Sequence, residues 1–311
     1  MTKYVYICAA GYSGSTLLNL ILGSHSRMEA LGEIALLTKN ISLNTECTCG
    51  SPVKSCPVWE PIIKDLGNSI DADLFENPYA LNLGYPRSHV VIDHEHQTSY
   101  YLLRRKFIHG LVYLESRYNI SFFNAFTQSF QDGLQHRFLL YDTVRKHQNV
   151  DIVVDSSKVY IDGVSLYRKR PEDVRIILLA RDGRGVMHSN MKRNQGREKG
   201  LVGWKYYYAR LLPLIEQHVK PGHCLTVHYE DLAQDTDSEL SRICQFLGVE
   251  YEPSMKEFAS HRHHITNGND MRFNESSEIR LDTSWQTKLS REDLEYFQRV
   301  AGEVSRDLGY E

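Results

Sequence analysis

The sequence has no run of about 18 apolar residues, the length a membrane-spanning helix needs, so no membrane span is expected. It has no surplus of positive charge: 36 Lys and Arg stand against 39 Asp and Glu, for a formal net charge of −3. That excludes a global basic field for nucleic acid. Local clusters such as Arg104-Arg105-Lys106 and Arg168-Lys169-Arg170 read as solvated helix faces. Internal repeats, low-complexity tracts and linker-like stretches are also missing, which leaves residues 1–311 as one unit. The first residues lack a signal-peptide layout, and a cytoplasmic location is the expectation.

What is present begins at once. Tyr4 to Ala10 is an apolar run, and Gly11 to Leu20 follows as GYSGSTLLNL. A strand that ends in glycines and hydroxyl residues and passes directly into a helix makes an anion site. The first N–H groups of the helix have no internal partner, and its dipole adds positive charge there. Gly11 and Gly14 let the backbone approach a ligand, and Ser13, Ser15 and Thr16 add hydroxyl donors. A nucleoside-triphosphate loop of the GxxxxGK[ST] type needs a Lys on the outer phosphates, and Gly14-Ser15-Thr16 lacks it.

The segment Tyr12-Ser13-Gly14-Ser15-Thr16-Leu17-Leu18 instead resembles the 5′-phosphosulfate loop of sulfotransferases that use 3′-phosphoadenosine-5′-phosphosulfate (PAPS). Four further blocks carry the same resemblance. Arg181, at the end of the apolar run Val174 to Ala180, is followed eight residues later by Ser189, as in the family's 3′-phosphate block. A guanidinium fork suits that role, because it grips two phosphate oxygens. Val227 to Gly248 resembles the family's YEDL…FLG segment and puts Tyr229 near the adenine. Gly268 to Arg272, with Trp285 beyond, is similar to the late basic segment over the 3′-phosphate and offers Arg272. Leu31-Gly32-Glu33 resembles the Gly-Glu pair of tyrosylprotein sulfotransferases, whose Glu is the catalytic base; Glu33 lies 21 residues after Tyr12, the interval found there. Val154 to Lys158 resembles the segment in which those enzymes carry a Lys for the leaving phosphate.

The resemblance implies an α/β fold with a P-loop-type central parallel sheet flanked by helices and an inserted, mainly helical lobe over residues 60–145. Strands are predicted at 3–9, 28–31, 151–155, 174–180 and 223–228, and helices at 15–24, 160–170, 184–194, 200–219, 236–247 and 291–308. Ligands of such sheets bind at the carboxyl ends of the strands. The lobe matches no block of the family. Its aromatics, Tyr100, Tyr101, Phe107, Tyr113, Tyr118, Phe122, Phe123, Phe126 and Phe130, read first as core and second as an acceptor wall. His94 and His96, and the run His261 to His264, read as solvated.

The implied roles are these. Gly11, Tyr12, Ser13, Gly14, Ser15, Thr16 and Leu17 hold the phosphosulfate; Arg181, Ser189 and Arg272 hold the 3′-phosphate; Tyr229 lies by the base. Glu33 takes the acceptor proton, and Lys158 and Tyr12 meet charge on the bridging oxygen. The family usually has Lys or Arg where Tyr12 stands, and a neutral phenol is a weaker answer to that charge. The implied partners are PAPS, which leaves as adenosine 3′,5′-bisphosphate, and a small metabolite or saccharide with a hydroxyl or amine. A homodimer is compatible with this. No metal is expected in the chemistry. Cys8, Cys224 and Cys244 read as structural thiols. For Cys47, Cys49 and Cys56 three alternatives stand open, namely free thiols (placed first), one disulfide with a spare thiol, or a zinc site lacking a fourth ligand. The rival readings are a P-loop kinase or NTPase and a non-catalytic nucleotide-binding protein.

Overall fold

The computed structural model describes residues 2–83, 99–120 and 124–311. The expectations for His94, His96, Phe122 and Phe123 fall outside them, as do those for the side chains of Tyr100, Tyr101, Arg104, Arg105 and Phe126.

Five parallel strands form one sheet in the order β2-β3-β1-β4-β5: β1 (Tyr4–Ala9), β2 (Met28–Ala30), β3 (Ile152–Asp155), β4 (Val174–Ala180) and β5 (Cys224–His228). Each falls where the apolar runs predict it. β1 is buried along its whole length and pairs with β3 on one side and β4 on the other. Its side chains alternate between two cores, as the period of a strand requires. Tyr4, Tyr6 and Cys8 enter one, while Val5, Ile7 and Ala9 enter the other. A strand apolar on both faces must be covered on both, which is why helices lie above and below.

The helices are α1 (Ser15–Leu22), α2 (Leu37–Leu43), α3 (Trp59–Ser69), α4 (Ser99–Tyr118), α5 (Asn124–Gln148), α6 (Tyr160–Lys169), α7 (Gly183–Lys192), α8 (Arg197–His218), α9 (Tyr229–Gln234), α10 (Thr236–Leu247), α11 (Trp285–Lys288) and α12 (Arg291–Asp307). α1 and α10 cover the Val5 face; α3, α5, α6, α7, α8 and α12 cover the Tyr4 face. α2, α9 and α11 are not among the helices predicted from the sequence, whereas α3, α4 and α5 fall in the lobe expected to be mainly helical. α2 is short, and α9 is one continuous step from β5. Among the described residues no helix is long and apolar enough to cross a membrane.

The lobe meets the sheet through a buried ionic cluster. Arg137, on α5, is fully buried; its Nη1 donates to Asp155 Oδ2 at 2.5 Å and its Nη2 lies 3.3 Å from Asp162 Oδ2. Tyr141 donates its hydroxyl to the same Asp155 oxygen. Asp155 Oδ1 accepts from Ser157 N at 2.7 Å, so the lobe grips the turn that leads to Lys158. Phe130 is in the core as expected, whereas Phe107 and Tyr118 are exposed.

Candidate active site

All five strand ends feed one cleft of about 660 Å³. Gly11, Tyr12, Gly14, Ser15, Thr16 and Leu17 reach it from the end of β1, Glu33 from β2, Lys158 from β3, Arg181 from β4 and Tyr229 from β5. Ser189 joins them from α7. This is the carboxyl edge at the point where the strand order reverses about β1, the place a parallel sheet leaves open.

The loop after β1 is shaped by its backbone. Gly14 has φ 88°, and a Cβ there would come within 2.8 Å of the Tyr229 ring. Only glycine meets both conditions. As the N-cap of α1 it offers no side chain to the first-turn N–H groups, which are left for a ligand. Tyr12 is left-handed at φ 65° without being glycine, a conformation that structures tend to store at functional sites. Its carbonyl accepts from Arg181 Nη1 at 3.1 Å. Ser13, by contrast, is buried beneath the loop, with its hydroxyl 3.5 Å from that of Tyr208. Tyr208 donates to Leu179 O at 2.7 Å and accepts from Ala10 N at 3.2 Å, tying the loop to β4 and α8.

Glu33 and Lys158 come together. Lys158 Nζ lies 2.5 Å from Glu33 Oε1, and both side chains are about one-fifth exposed. Their loops are interlocked: Ser156 N donates to Gly32 O at 3.0 Å and Ala35 N to Ser157 Oγ at 2.9 Å. Lys158 is left-handed, at φ 63°. Gly32 has φ 69°, and a Cβ there would stand 2.6 Å from Ile265 and 2.7 Å from the Asn267 carbonyl, so the chain from 265 to 267 packs directly against the residue before Glu33.

At the other end Arg181 is nearly buried. Its guanidinium lies over the Tyr229 ring, 4.5 Å from the centroid, and its Nη2 donates to Asp282 Oδ2 at 3.2 Å. Burial pushes the Asp282 carboxyl up. Hydrogen bonds from Ser284, with the charges of Lys192 and Arg181, outweigh this and bring it down to about 2. Tyr229 donates its hydroxyl to Arg280 O at 2.5 Å, and burial pushes its pKa above the usual tyrosine value, which keeps the phenol neutral.

The structure places three cleft cations that motif matching passed over: Lys192, Arg193 and Arg280. The first two had a signal, since they stand three and four residues after Ser189, as the last residue of α7 and its C-cap. Arg193 lies over the Tyr12 ring, 4.7 Å from its centroid, beside the position where the family's usual cation is absent. Arg280 comes from a loop with no periodicity. Besides the buried Ser13, Arg272 is the predicted residue that the structure leaves outside the cleft. Its Nη1 donates to Gly268 O at 2.5 Å, its guanidinium covers Phe273, and it lines a neighbouring depression. Gly268 and Asn269 line the cleft instead, with Asn269 N donating to Thr16 Oγ1 at 3.4 Å. No described residue of 60–145 lines it.

Five cationic side chains and three carboxylates therefore border the cleft, in a chain whose net charge is negative. The cavity suits a polyanion that lays phosphate on Arg181 and on the start of α1.

Comparison with known proteins agrees. The model of the sulfotransferase family matches residues 98–253, half of the chain. A Caenorhabditis briggsae protein named "Putative protein-tyrosine sulfotransferase" is 30% identical over 154 residues, covering 44% of this chain and 52% of its own length. The chain thus spans about half the length of that relative. Two solved structures share the fold. The sulfotransferase domain from the curacin biosynthetic pathway has a TM-score of 0.51 at 18% identity, over 100% of this chain and 99% of its own. The sulfotransferase domain of the Synechococcus PCC 7002 olefin synthase has a TM-score of 0.52 at 16% identity, over 96% and 94%.

Proposed function

This chain belongs to the sulfotransferase family, and from that premise we propose that it moves a sulfuryl group from PAPS to a hydroxyl or amine of a small metabolite or saccharide. The observation that carries the reading is the pairing of Glu33 with Lys158 in the same cleft as the α1 start and Arg181. PAPS supplies an activated sulfuryl group on a phosphate that can leave.

The residues divide the work. Arg181 and Ser189, with Lys192 nearby, hold the 3′-phosphate, and Tyr229 stacks beside the base. Anchoring at that distance orients the reacting end. N–H groups from Gly14 to Leu17 hold the 5′-phosphate. Glu33 takes the proton from the acceptor as the new bond to sulfur forms. Lys158 then faces the oxygen on which the departing electron pair settles, and Arg193 adds the charge that Tyr12 lacks. The contact between Glu33 and Lys158 opens when donor and acceptor enter, each group turning to the atom it serves.

Calorimetry with adenosine 3′,5′-bisphosphate and a radiolabelled PAPS assay over an acceptor panel test this. Saturable binding and transfer to at least one hydroxyl or amine acceptor are expected; absence of saturation overturns the reading. Binding without transfer would favour a non-catalytic nucleotide-binding protein, and a thermal shift with ATP·Mg²⁺ but not with the bisphosphate would favour an NTPase. Protein tyrosine is a second acceptor reading, favoured by the name of the Caenorhabditis briggsae relative and by the Gly32-Glu33 pair. Tyrosine peptides therefore belong in the panel.

A further inference from the structure

Cys47, Cys49 and Cys56 are free thiols in the structure, and His261 is exposed, both as expected; His264, read as solvated, instead turns in toward the cysteines. The side chains of Cys47, Cys49, Cys56 and His264 converge, with all four ligand atoms within 4.8 Å of one another. Cys47 and Cys56 are buried; Cys49 and His264 are half-buried. The sulfur of Cys56 lies 3.6 Å from Cys49 and 3.7 Å from Cys47. His264 Nδ1 lies 3.2 Å from the sulfur of Cys56 and 3.9 Å from that of Cys47.

A tetrahedral zinc ion with Zn–S of about 2.3 Å and Zn–N of about 2.0 Å has ligand-to-ligand edges of roughly 3.8 Å between sulfurs and roughly 3.5 Å between sulfur and nitrogen. Four of the six separations, from 3.2 to 3.9 Å, lie about those edges, and all six are within 4.8 Å. They are much longer than the roughly 2.05 Å of a disulfide, which would in any case strand the third thiol. The sequence offered three ligands within ten residues; the fourth arrives from more than 200 residues away, which is why spacing alone did not find it. We propose that Cys47, Cys49, Cys56 and His264 bind one Zn²⁺ as a closed structural site. Three thiolates and a neutral imidazole complete the shell, leave no position for substrate, and release three thiol protons on binding.

The site sits where a staple would act. Around it Trp59 Nε1 donates to His264 O at 2.7 Å, Thr48 Oγ1 to His263 O at 2.7 Å, and Thr48 N to Ile265 O at 3.1 Å. Ile265 packs on Gly32, and Glu33 N donates to Asn267 O at 3.4 Å. The ion would thus fix the strap from 264 to 269 against Glu33 without touching the chemistry, and the proposal stands whether or not the cleft transfers sulfuryl groups.

The test is metal analysis of the whole chain, purified without chelator, by elemental and native mass spectrometry. One zinc per chain is expected, with a fall to about one-tenth of that in Cys56→Ser and in His264→Ala. Because those variants can fail to fold, Co²⁺ exchanged into the wild type provides a second reading: tetrahedral d–d bands with thiolate-to-cobalt charge transfer are expected. A chain that carries no zinc and takes up no Co²⁺, a disulfide among the three cysteines, or a different metal at one per chain would each overturn the assignment.

Discussion

The two ends of the cleft are built by opposite means. The end proposed to hold the nucleotide rests on the sheet. Gly11 to Leu17 and Arg181 follow directly from β1 and β4, adjacent strands paired along six residues, and a buried tyrosine pins the loop from below. The Glu33 end rests on loops. Glu33 follows a three-residue edge strand and leans on a strap that returns from residue 264 onward, while Lys158 follows β3 in a strained turn and leans on the Gly32-Glu33 segment. A sheet edge makes a phosphate site out of local chain. The proposed general base opposite it is held by contacts between segments far apart in sequence. The difference separates function: changes at the sheet end should act on binding, and changes at the loop end on turnover.

The largest effect tests that split at its sharpest point. Glu33→Gln should cut turnover by about 10²–10⁴, the usual worth of a general base, and leave binding of adenosine 3′,5′-bisphosphate intact. Steady-state kinetics and calorimetry read the two quantities separately, and an equal loss in both would erase the distinction. Lys158→Ala comes next, with a loss in turnover of about 10²–10³, as when one preorganised partner of a developing oxyanion is removed. Tyr12→Phe should lose less, because Arg193 stands over that ring; the reverse order would give Tyr12 the missing cation's task. Arg181→Ala should weaken bisphosphate binding by about 1–3 kcal/mol, the range for hydrogen bonds to a charged group. A turnover defect without a binding defect would contradict its place at the nucleotide end.

The same divide governs what the sequence makes legible. All five strands are readable, because a parallel strand buried on both faces is a short unbroken apolar run. Gly14, Arg181 and Ser189 are readable because their spacing lies within one strand–turn–helix. Lys192 and Arg193 were within reach, three and four residues beyond Ser189, as the last residue of α7 and its C-cap. Arg280, Asp282 and the strap were not. Their positions depend on Tyr229 holding the Arg280 carbonyl and on Ile265 seating against Gly32, contacts that leave no periodic trace. Arg137 likewise reads as an ordinary helical Arg until the fold buries it against Asp155 and Asp162. His264 is the extreme case: it closes a run with two other histidines and an arginine, and only the fold selects it.

The smallest expected effect bears most directly on where the nucleotide end stops. The family resemblance gives Arg272 to the 3′-phosphate, but its Nη1 is taken by the Gly268 carbonyl, its guanidinium covers the Phe273 ring, and it lines a neighbouring depression rather than the cleft. Arg272→Ala should therefore change bisphosphate binding by no more than about threefold, within the range of a mutation acting only through loop order. Arg280→Ala, at a residue that borders the cleft itself, should weaken it more. Calorimetry on the two variants decides between them. If Arg272→Ala costs as much as Arg181→Ala, the strap must turn over on binding and carry that arginine into the cleft, and the loop half of the site would then share in holding the donor.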